Sequence, residues 1–230
     1  MRSIHDNLQA VLQRIARAAV SAGRDPRGVT LLAVSKTHPA ALVEQALAAG
    51  QRAFGENYVQ EAIEKMDAVK AAGLQAEWHL IGPLQSNKSR LVAERFDWVQ
   101  SVESEKTARR LSEQRPAALA PLNVLIQVNV SGEASKSGLA LEQVASLAEA
   151  IYQLPRLRLR GLMAIPEPGA ELARYRELKR RYEKLKGDFQ FDTLSVGMSD
   201  DLEVAVAEGA TMLRIGTAIF GARQKVRPAA

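Results

Sequence analysis

Lys36 stands at the end of an apolar run that reads VTLLAVSKTHP from residue 29 to residue 39. The run predicts a buried strand over 29–35 and leaves the lysine amine at the last rung. Two interpretations are open at this point. The amine either extends from a strand end into solvent, or it serves a chemistry that needs a nucleophilic amine in an apolar setting.

Two glycine-containing segments late in the chain have the residue types that bind anions. SVGMSDDLEVAVAEGA (195–210) predicts a strand, a glycine turn and a helix that Ser199 or Asp200 would cap. RIGTAIFGAR (214–223) repeats this order with Gly216 and Thr217 at the turn. Adjacent helix N-termini present free N–H groups and favour negative charge, so the pair predicts a phosphate site. The alternative is that both hydroxyl residues are only helix caps.

Eight short apolar runs, each followed by a helical segment, must position these residues. The predicted strands are 29–35, 52–55, 77–81, 97–101, 122–130, 158–164, 193–197 and 211–215. Strict alternation predicts parallel strands joined by right-handed crossovers. Eight units after an extra N-terminal helix favour an α/β fold of the closed (β/α)8 TIM type, with an open doubly wound sheet as the alternative. Gly50, Gly73, Gly187 and Gly209 are expected to end helices.

The barrel prediction brings the lysine and the anion-binding segments together. In a closed barrel the first strand neighbours the eighth, and ligands bind at the carboxyl ends of the strands, with phosphates after strands seven and eight. Lys36 would then reach a ligand whose phosphate lies in those loops. Desolvation lowers the pKa of a lysine and exposes its lone pair to an aldehyde, so the arrangement predicts a Schiff base with pyridoxal 5′-phosphate (PLP).

Composition excludes several other classes of function. The net charge of +5 is spread over predicted helices, and aromatic residues, at 5%, are too few for a nucleic-acid stacking platform. The most basic segment, 174–187, interleaves Glu177 and Glu183 with its bases, as on a solvated helix face. No apolar run is long enough to cross a membrane, and cysteine is absent. We expect one cytoplasmic domain over 1–230, with no bound metal, nucleic acid or membrane.

Six sequence blocks resemble the pyridoxal phosphate homeostasis protein family, single-domain relatives of the alanine racemase N-terminal barrel. The blocks are AVSKTHP, FGENYVQE, WHLIGPLQSNK, QVNVSGEASKSG, GLMAIP and LSVGMSDDLEVAVAEGATMLRIGTAIFG. The resemblance covers nearly the whole chain, and its last block is long and specific. It implies a PLP-binding barrel.

The resemblance also implies eight cofactor-binding residues. They comprise a lysine that carries the internal aldimine, three contacts to the phosphate, an arginine that faces the pyridine nitrogen and three residues that line the pocket. In that order they are Lys36; Ser199, Gly216 and Thr217; Arg214; and Asn57, Met163 and Ser195. No catalytic residue is expected.

Arg214 favours a carrier of PLP over an enzyme. A carboxylate opposite the pyridine nitrogen keeps it protonated, whereas an arginine cannot accept that proton, so the ring is left a weak electron sink. Related racemases resemble this barrel plus a β-domain whose tyrosine, from the partner subunit, is the second base, and no such domain is expected here. We therefore predict a non-enzymatic protein that buffers or delivers PLP; the alternative is a weak PLP-dependent amino-acid racemase.

The other candidate bases are expected to lie away from the cofactor. Tyr152, Tyr175 and Tyr182 fall on predicted outer helices. Tyr58 follows the second strand and is the one tyrosine whose position could bring it near the cofactor, although it is expected to pack at the start of its helix. His79 lies in an apolar strand between Trp78 and Leu80. It is expected to be a core residue with satisfied hydrogen bonds.

The segment SGEASKSGL (131–139) after the fifth strand is open to two interpretations. Its glycines and serines are typical of a solvated connector, yet Lys136 would lie at the cofactor face of the barrel. A lysine there could take the aldehyde from Lys36 or steer its phosphate, so Lys136→Ala is expected to change the rate of transfer to an apo-enzyme. PLP-requiring apo-enzymes are the expected partners of a chain that we expect to be a monomer.

Overall fold

The computed structural model of the chain describes residues 3–132 and 137–222. Its strands are β1 (Thr30–Val34), β2 (Ala53–Glu56), β3 (Glu77–Leu80), β4 (Trp98–Val102), β5 (Leu122–Val128), β6 (Leu157–Ala164), β7 (Thr193–Ser195) and β8 (Met212–Ile215). The described α-helices are α1 (Ile4–Ser21), α2 (Ala40–Ala48), α3 (Val59–Ala71), α4 (Ser89–Arg95), α5 (Glu105–Gln114), α6 (Val144–Tyr152), α7 (Leu172–Phe189), α8 (Leu202–Ala207) and α9 (Thr217–Phe220).

The eight strands form a closed parallel barrel in chain order. Closure is made between β1 and β8, where Leu32 lies in register with Arg214 and Ala33 with Ile215. The (β/α)8 barrel with an additional N-terminal helix is therefore confirmed, and the open doubly wound sheet is excluded because such a sheet would leave two strand edges unpaired.

Successive residues of a strand pack on opposite sides of the barrel wall, one toward the helices and the next toward the barrel interior. Leu31 and Ala33 of β1 belong to the large core between strands and helices, whereas Leu32 and Val34 belong to a smaller cluster. The two small clusters are Leu32, Val34, Ala53, Ile81 and Met212, and Trp98, Leu125 and Met163. Because alternate strand residues face opposite sides of a sheet, the small clusters fill the inside of the barrel.

The N-terminal helix α1 contacts the two segments that are predicted to bind phosphate. It begins after the N-cap Ser3 in a capping box and buries an apolar stripe. Its polar side chains reach two loops: Asn7 donates a hydrogen bond to the carbonyl of Ile219 at 2.9 Å, and Arg14 donates one to the carbonyl of Ser199 at 2.7 Å. The extra helix thus holds the segments that follow β7 and β8.

Three of the four helix-ending glycines are as expected, and one is not. Gly50, Gly73 and Gly209 have positive φ angles of 98°, 72° and 100° just after helices. The prediction for Gly187 is wrong, because that residue lies inside α7. There Gln190, at φ 54°, takes the left-handed position after the helix.

The long helix α7 carries the basic segment of the sequence on its solvated side. It buries Tyr175, Leu178, Tyr182 and Leu185. On the outer side Arg180 pairs with Glu177 at 2.6 Å, and Lys186 lies 4.0 Å from Glu183. The interleaved charges therefore pair along the helix as the sequence predicts. Within the described ranges, no helix combines the length and the apolar content that a membrane crossing requires.

Candidate functional site

A cavity of about 530 Å³ opens at the carboxyl ends of the strands. Six of the eight predicted binding residues line it. They are Lys36, Asn57, Ser199, Arg214, Gly216 and Thr217. The closed barrel brings these residues together from the ends of β1, β2, β7 and β8, although the first and the last are 181 positions apart in the chain (217 − 36).

Lys36 lies in a turn and not on the strand itself. β1 ends at Val34, so the predicted strand 29–35 is one residue too long at each end. The turn continues through Thr37, whose φ of 64° is left-handed and whose hydroxyl donates to the carbonyl of Lys36 at 2.6 Å. The lysine side chain is partly buried and lines the cavity.

Arg214 places a buried cation at the base of the cavity. Its guanidinium donates to the carbonyl and the hydroxyl of Ser195, both at 2.8 Å, and to the carbonyl of Ala164 at 2.8 Å. Burial lowers the pKa of Arg214 to about 10, against the opposing effect of Asp201. The side chain therefore remains charged at neutral pH, and the three hydrogen bonds that it donates to residues of β6 and β7 hold it in place.

Met163 and Ser195 lie beneath the cavity and are not among the residues that line it. Met163 is fully buried in the interior cluster with Trp98 and Leu125. Ser195 is fully buried as well, and its contact is with Arg214. The strand positions were recognised correctly, but the closed barrel turns both side chains toward its interior, where they support the site from below.

The two loops that were predicted to bind phosphate both reach the cavity. The prediction that Ser199 or Asp200 caps α8 is wrong, because the N-cap of α8 is Asp201 and the helix has no side-chain cap hydrogen bond. Asp201 instead accepts from the backbone N–H of Met198 at 2.6 Å. Thr217 is the first residue of α9, which also has no side-chain cap. The alternative that both hydroxyls are only caps is therefore not supported.

Each of these loops has one glycine at a position where a side chain would be crowded. Gly197 has a φ of 103°, and a Cβ there would lie 2.5 Å from Cβ of Ala205. A Cβ on Gly216 would lie 3.0 Å from the carbonyl oxygen of Val34. The glycines therefore let the loops after β7 and β8 pack closely against α8 and β1, which keeps the rim of the cavity compact.

Sequence reasoning missed several residues of the cavity wall, among them His38, Ile165 and Met198. Ile165 directly follows the end of β6, and Met198 follows Gly197 after β7. Their positions just beyond strand ends are the signal that could have identified them. The ring of His38 packs against Phe220, with 5.3 Å between the ring centres.

The other candidate bases lie where they were expected, with one exception. His79 is fully buried, with Nε2 2.8 Å from Glu77 and Nδ1 2.9 Å from Gln100, as a satisfied core residue. Tyr152 lies on α6 and Tyr175 and Tyr182 on α7. Tyr58 precedes α3 and is 57% exposed, so the prediction that it packs at the helix start is wrong.

Two further expectations concern metals and Lys136. In residues 3–132 and 137–222, no three His, Cys, Asp or Glu side chains gather into a metal-binding group. Lys136 lies outside the described residues, so its role stays a prediction.

The fold and site define an alanine-racemase-type barrel. Residues 6–224 match the family described as the alanine racemase N-terminal domain. The alanine racemase from Corynebacterium glutamicum is 17% identical and superposes with a TM-score of 0.70 over 97% of this chain and 63% of its own. At that identity the likeness shows the fold alone.

Closer relatives match this chain over nearly their whole length. The chain is 60% identical over 231 residues to the pyridoxal phosphate homeostasis protein of Pseudomonas aeruginosa, covering 100% of both, and 56% identical to that of Escherichia coli K12, covering 97% and 98%. PipY of Synechococcus elongatus, solved with PLP bound, is 36% identical with a TM-score of 0.81 over 95% of this chain and 100% of PipY. The chain belongs to the pyridoxal phosphate homeostasis protein family.

Proposed function

We propose that the protein binds PLP reversibly through Lys36 and serves PLP homeostasis by holding and delivering the cofactor, without catalysing a reaction on it. The observation that carries the proposal is the meeting of one lysine, one buried arginine and two hydroxyl-bearing loops around a single cavity. The names of the relatives and the PLP bound to PipY support the same function.

The residues present fit this cofactor. PLP supplies an aldehyde, which condenses with a primary amine as its carbonyl oxygen leaves as water. Lys36 provides the amine, while Ser199, Gly216 and Thr217 provide hydroxyls and backbone N–H groups for the phosphate. Arg214 provides the charge that would face the pyridine nitrogen.

The same residues argue against efficient catalysis. Arg214 cannot take a proton from a ring nitrogen, since its pKa of about 10 keeps the guanidinium protonated at neutral pH. None of the tyrosines Tyr58, Tyr152, Tyr175 and Tyr182 lines the cavity, so no tyrosine is placed as the second base that racemisation needs. A weak racemase is the second candidate, and the observation in its favour is that His38 lines the cavity.

Labelling of the lysine tests the covalent part of the proposal. Wild-type protein loaded with PLP should absorb in the visible, and borohydride reduction should attach the cofactor to the peptide that contains Lys36. The Lys36→Ala variant should lose both signals and keep its fold. Lys70→Ala, which removes an exposed lysine of α3, is the matched control and should behave as wild type. Attachment to a different lysine would show that the assignment of Lys36 is wrong.

Proton exchange separates the carrier from the racemase. Loaded protein is incubated with L-alanine and other amino acids in deuterated water, and exchange of the α-proton is followed by NMR. A carrier should give no exchange above that of free PLP. Rapid exchange that is lost in His38→Ala would support the racemase instead.

We also propose that residues 1–230 form one PLP-binding domain, that the protein is a cytoplasmic monomer, and that apo-enzymes requiring PLP receive the cofactor from it. The single closed barrel of the described residues supports the first part. Analytical ultracentrifugation tests the monomer, and reactivation of an apo-enzyme by loaded protein in the presence of a scavenger of free PLP tests direct delivery.

A further inference from the structure

A buried group of charges lies directly behind the turn that carries Lys36. Lys65 of α3 donates to the Glu56 carboxylate at 2.8 Å and to the Glu61 carboxylate at 2.6 Å. The side chain of Lys65 is only 5% exposed and that of Glu56 is fully buried. We call these three residues the ion cluster. It is not part of the cavity wall.

The ion cluster contacts the residues on both sides of Lys36. On one side, Ser35 accepts a hydrogen bond from Lys65 at its carbonyl (2.6 Å) and donates one from its hydroxyl to Glu56 (2.6 Å). On the other side, the backbone N–H of Thr37 donates to the carboxylate of Glu61 at 2.6 Å. The backbone around the lysine is therefore held at two points, one before it and one after it.

The second contact holds a strained conformation. The φ of 64° at Thr37 is left-handed, and a β-branched residue adopts that region only when its surroundings impose it. Strain of this kind clusters at functional sites, where neighbouring structure over-determines it. Here the neighbouring structure is Glu61, which Lys65 in turn holds in place.

We propose that Glu56, Glu61 and Lys65 are positioning residues that hold the strained turn of Lys36, so that its amine is directed into the cavity. The inference rests on the proposed function, because it explains how the lysine that would carry the cofactor is positioned. Within the described residues, the side-chain hydrogen bonds that leave the cluster go to Ser35 and Thr37, which flank Lys36, and not to the residues that would hold the phosphate. The cluster therefore acts on the covalent step and not on non-covalent binding.

The test compares two ligands that differ in the aldehyde alone. Pyridoxine 5′-phosphate lacks the aldehyde and reports non-covalent binding by calorimetry, whereas PLP reports the covalent step by stopped-flow absorbance and borohydride trapping. Glu61→Ala removes the acceptor for Thr37, and Glu61→Gln keeps an acceptor oxygen at the same place. Glu64→Ala removes an exposed carboxylate of the same helix and is the matched control.

We expect Glu61→Ala to form the covalent adduct about tenfold more slowly than wild type, the effect of losing one strained conformation. It should bind pyridoxine 5′-phosphate as tightly as wild type, and Glu61→Gln should recover most of the rate. Equal rates for Glu61→Ala and Glu64→Ala would overturn the inference, as would an equal loss of affinity for both ligands. If wild-type protein itself forms no adduct at Lys36, the proposed function fails and the inference fails with it.

Discussion

Two groups of mostly buried polar residues support the candidate cavity, and they differ in what they hold. The ion cluster of Glu56, Glu61 and Lys65 lies outside the barrel, between β2 and α3, and contacts the backbone on either side of Lys36. The second group crosses the inside of the barrel and ends on the side chain of Arg214. One group therefore shapes a loop, and the other orients a single side chain.

The second group, which we call the interior chain, is a continuous series of hydrogen bonds. Arg214 donates to the hydroxyl of Ser195 at 2.8 Å, and that hydroxyl donates to Oε1 of Gln100 at 2.7 Å. Nε2 of Gln100 then lies 2.9 Å from Nδ1 of His79, so this ring nitrogen accepts and Nε2 of His79 donates to Glu77 at 2.8 Å. Every donor points from Arg214 toward Glu77, an arrangement in which hydrogen bonds polarise one another.

The difference between the groups is one of charge. Burial raises the pKa of Glu56, and the nearby Lys65 opposes that rise. Both carboxylates of the ion cluster therefore depend on the single ammonium of Lys65, because a buried carboxylate without a counter-charge is strongly unfavourable. The middle of the interior chain is neutral, so losing one member leaves unsatisfied hydrogen bonds but no buried charge. Loss of one member should consequently lower the free energy of unfolding more in the ion cluster than in the interior chain.

Lys65→Met should give the largest effect and tests that difference. It leaves Glu56 buried without a counter-charge, so we expect the free energy of unfolding to fall by about 3–5 kcal/mol. Urea denaturation measures the change, with Lys70→Met on the exposed side of α3 as control. The double variant Lys65→Met/Glu56→Leu should recover most of the loss. A single variant as stable as its control would contradict the comparison.

The two loops that are proposed to bind phosphate belong to neither group, and substitutions in them should weaken binding without lowering stability. Ser199→Ala and Thr217→Ala each remove one hydroxyl from the cavity, and each should weaken retention of PLP by about 1.5–3 kcal/mol, the contribution of a hydrogen bond to a charged group. Equilibrium dialysis and urea denaturation measure the two quantities. If the double variant retains PLP as tightly as wild type, the loops do not bind the phosphate.

Gln100→Leu breaks the interior chain, and its effect should be the opposite of that of Glu61→Ala: weaker non-covalent binding with an unchanged covalent step. It removes the acceptor for the hydroxyl hydrogen of Ser195 and the donor to Nδ1 of His79, so we expect a loss of stability of about 1–3 kcal/mol. Because Arg214 is then held less firmly, affinity for pyridoxine 5′-phosphate should fall. The rate of adduct formation at saturating PLP should be unchanged. A variant that slowed the covalent step and spared affinity would show that the two groups are not separate in function.

The pH dependence of stability should give the smallest effect. Burial lowers the pKa of His79 from its ordinary value of 6.5, although Glu77 and Asp97 oppose the shift and Arg160 adds to it. The unfolded chain then binds a proton more readily than the folded protein. The contribution of His79 to the free energy of unfolding is therefore fully present above about pH 6.5 and is lost as the pH falls below that value.

We expect a loss on the order of 1 kcal/mol between about pH 7 and pH 5.5. Urea denaturation at several pH values measures it. His79→Gln, which can still accept from Gln100 and donate to Glu77, should flatten the profile. An identical slope in wild type and variant would mean that His79 does not cause it.

Much of the fold follows from local sequence patterns. Eight apolar runs alternate with helical segments, and each predicted strand matches an observed one to within about two residues at each end. Barrel geometry places Lys36 and Thr217 at one face, and the family resemblance adds Asn57 and Arg214; all four line the same cavity. Hydrophobic periodicity is a property of neighbouring residues, so it can be read without knowing what the chain packs against.

Tertiary structure alone decided how the site is supported. Met163 and Ser195 were expected to line the cavity, but barrel closure turns them inward. The members of the interior chain come from β3, β4, β7 and β8, and no spacing in the sequence relates them. The same holds for the contact between Glu61 and Thr37. Burial of a polar group is costly unless hydrogen-bond partners offset it, and the partners in both groups meet only after the barrel has closed.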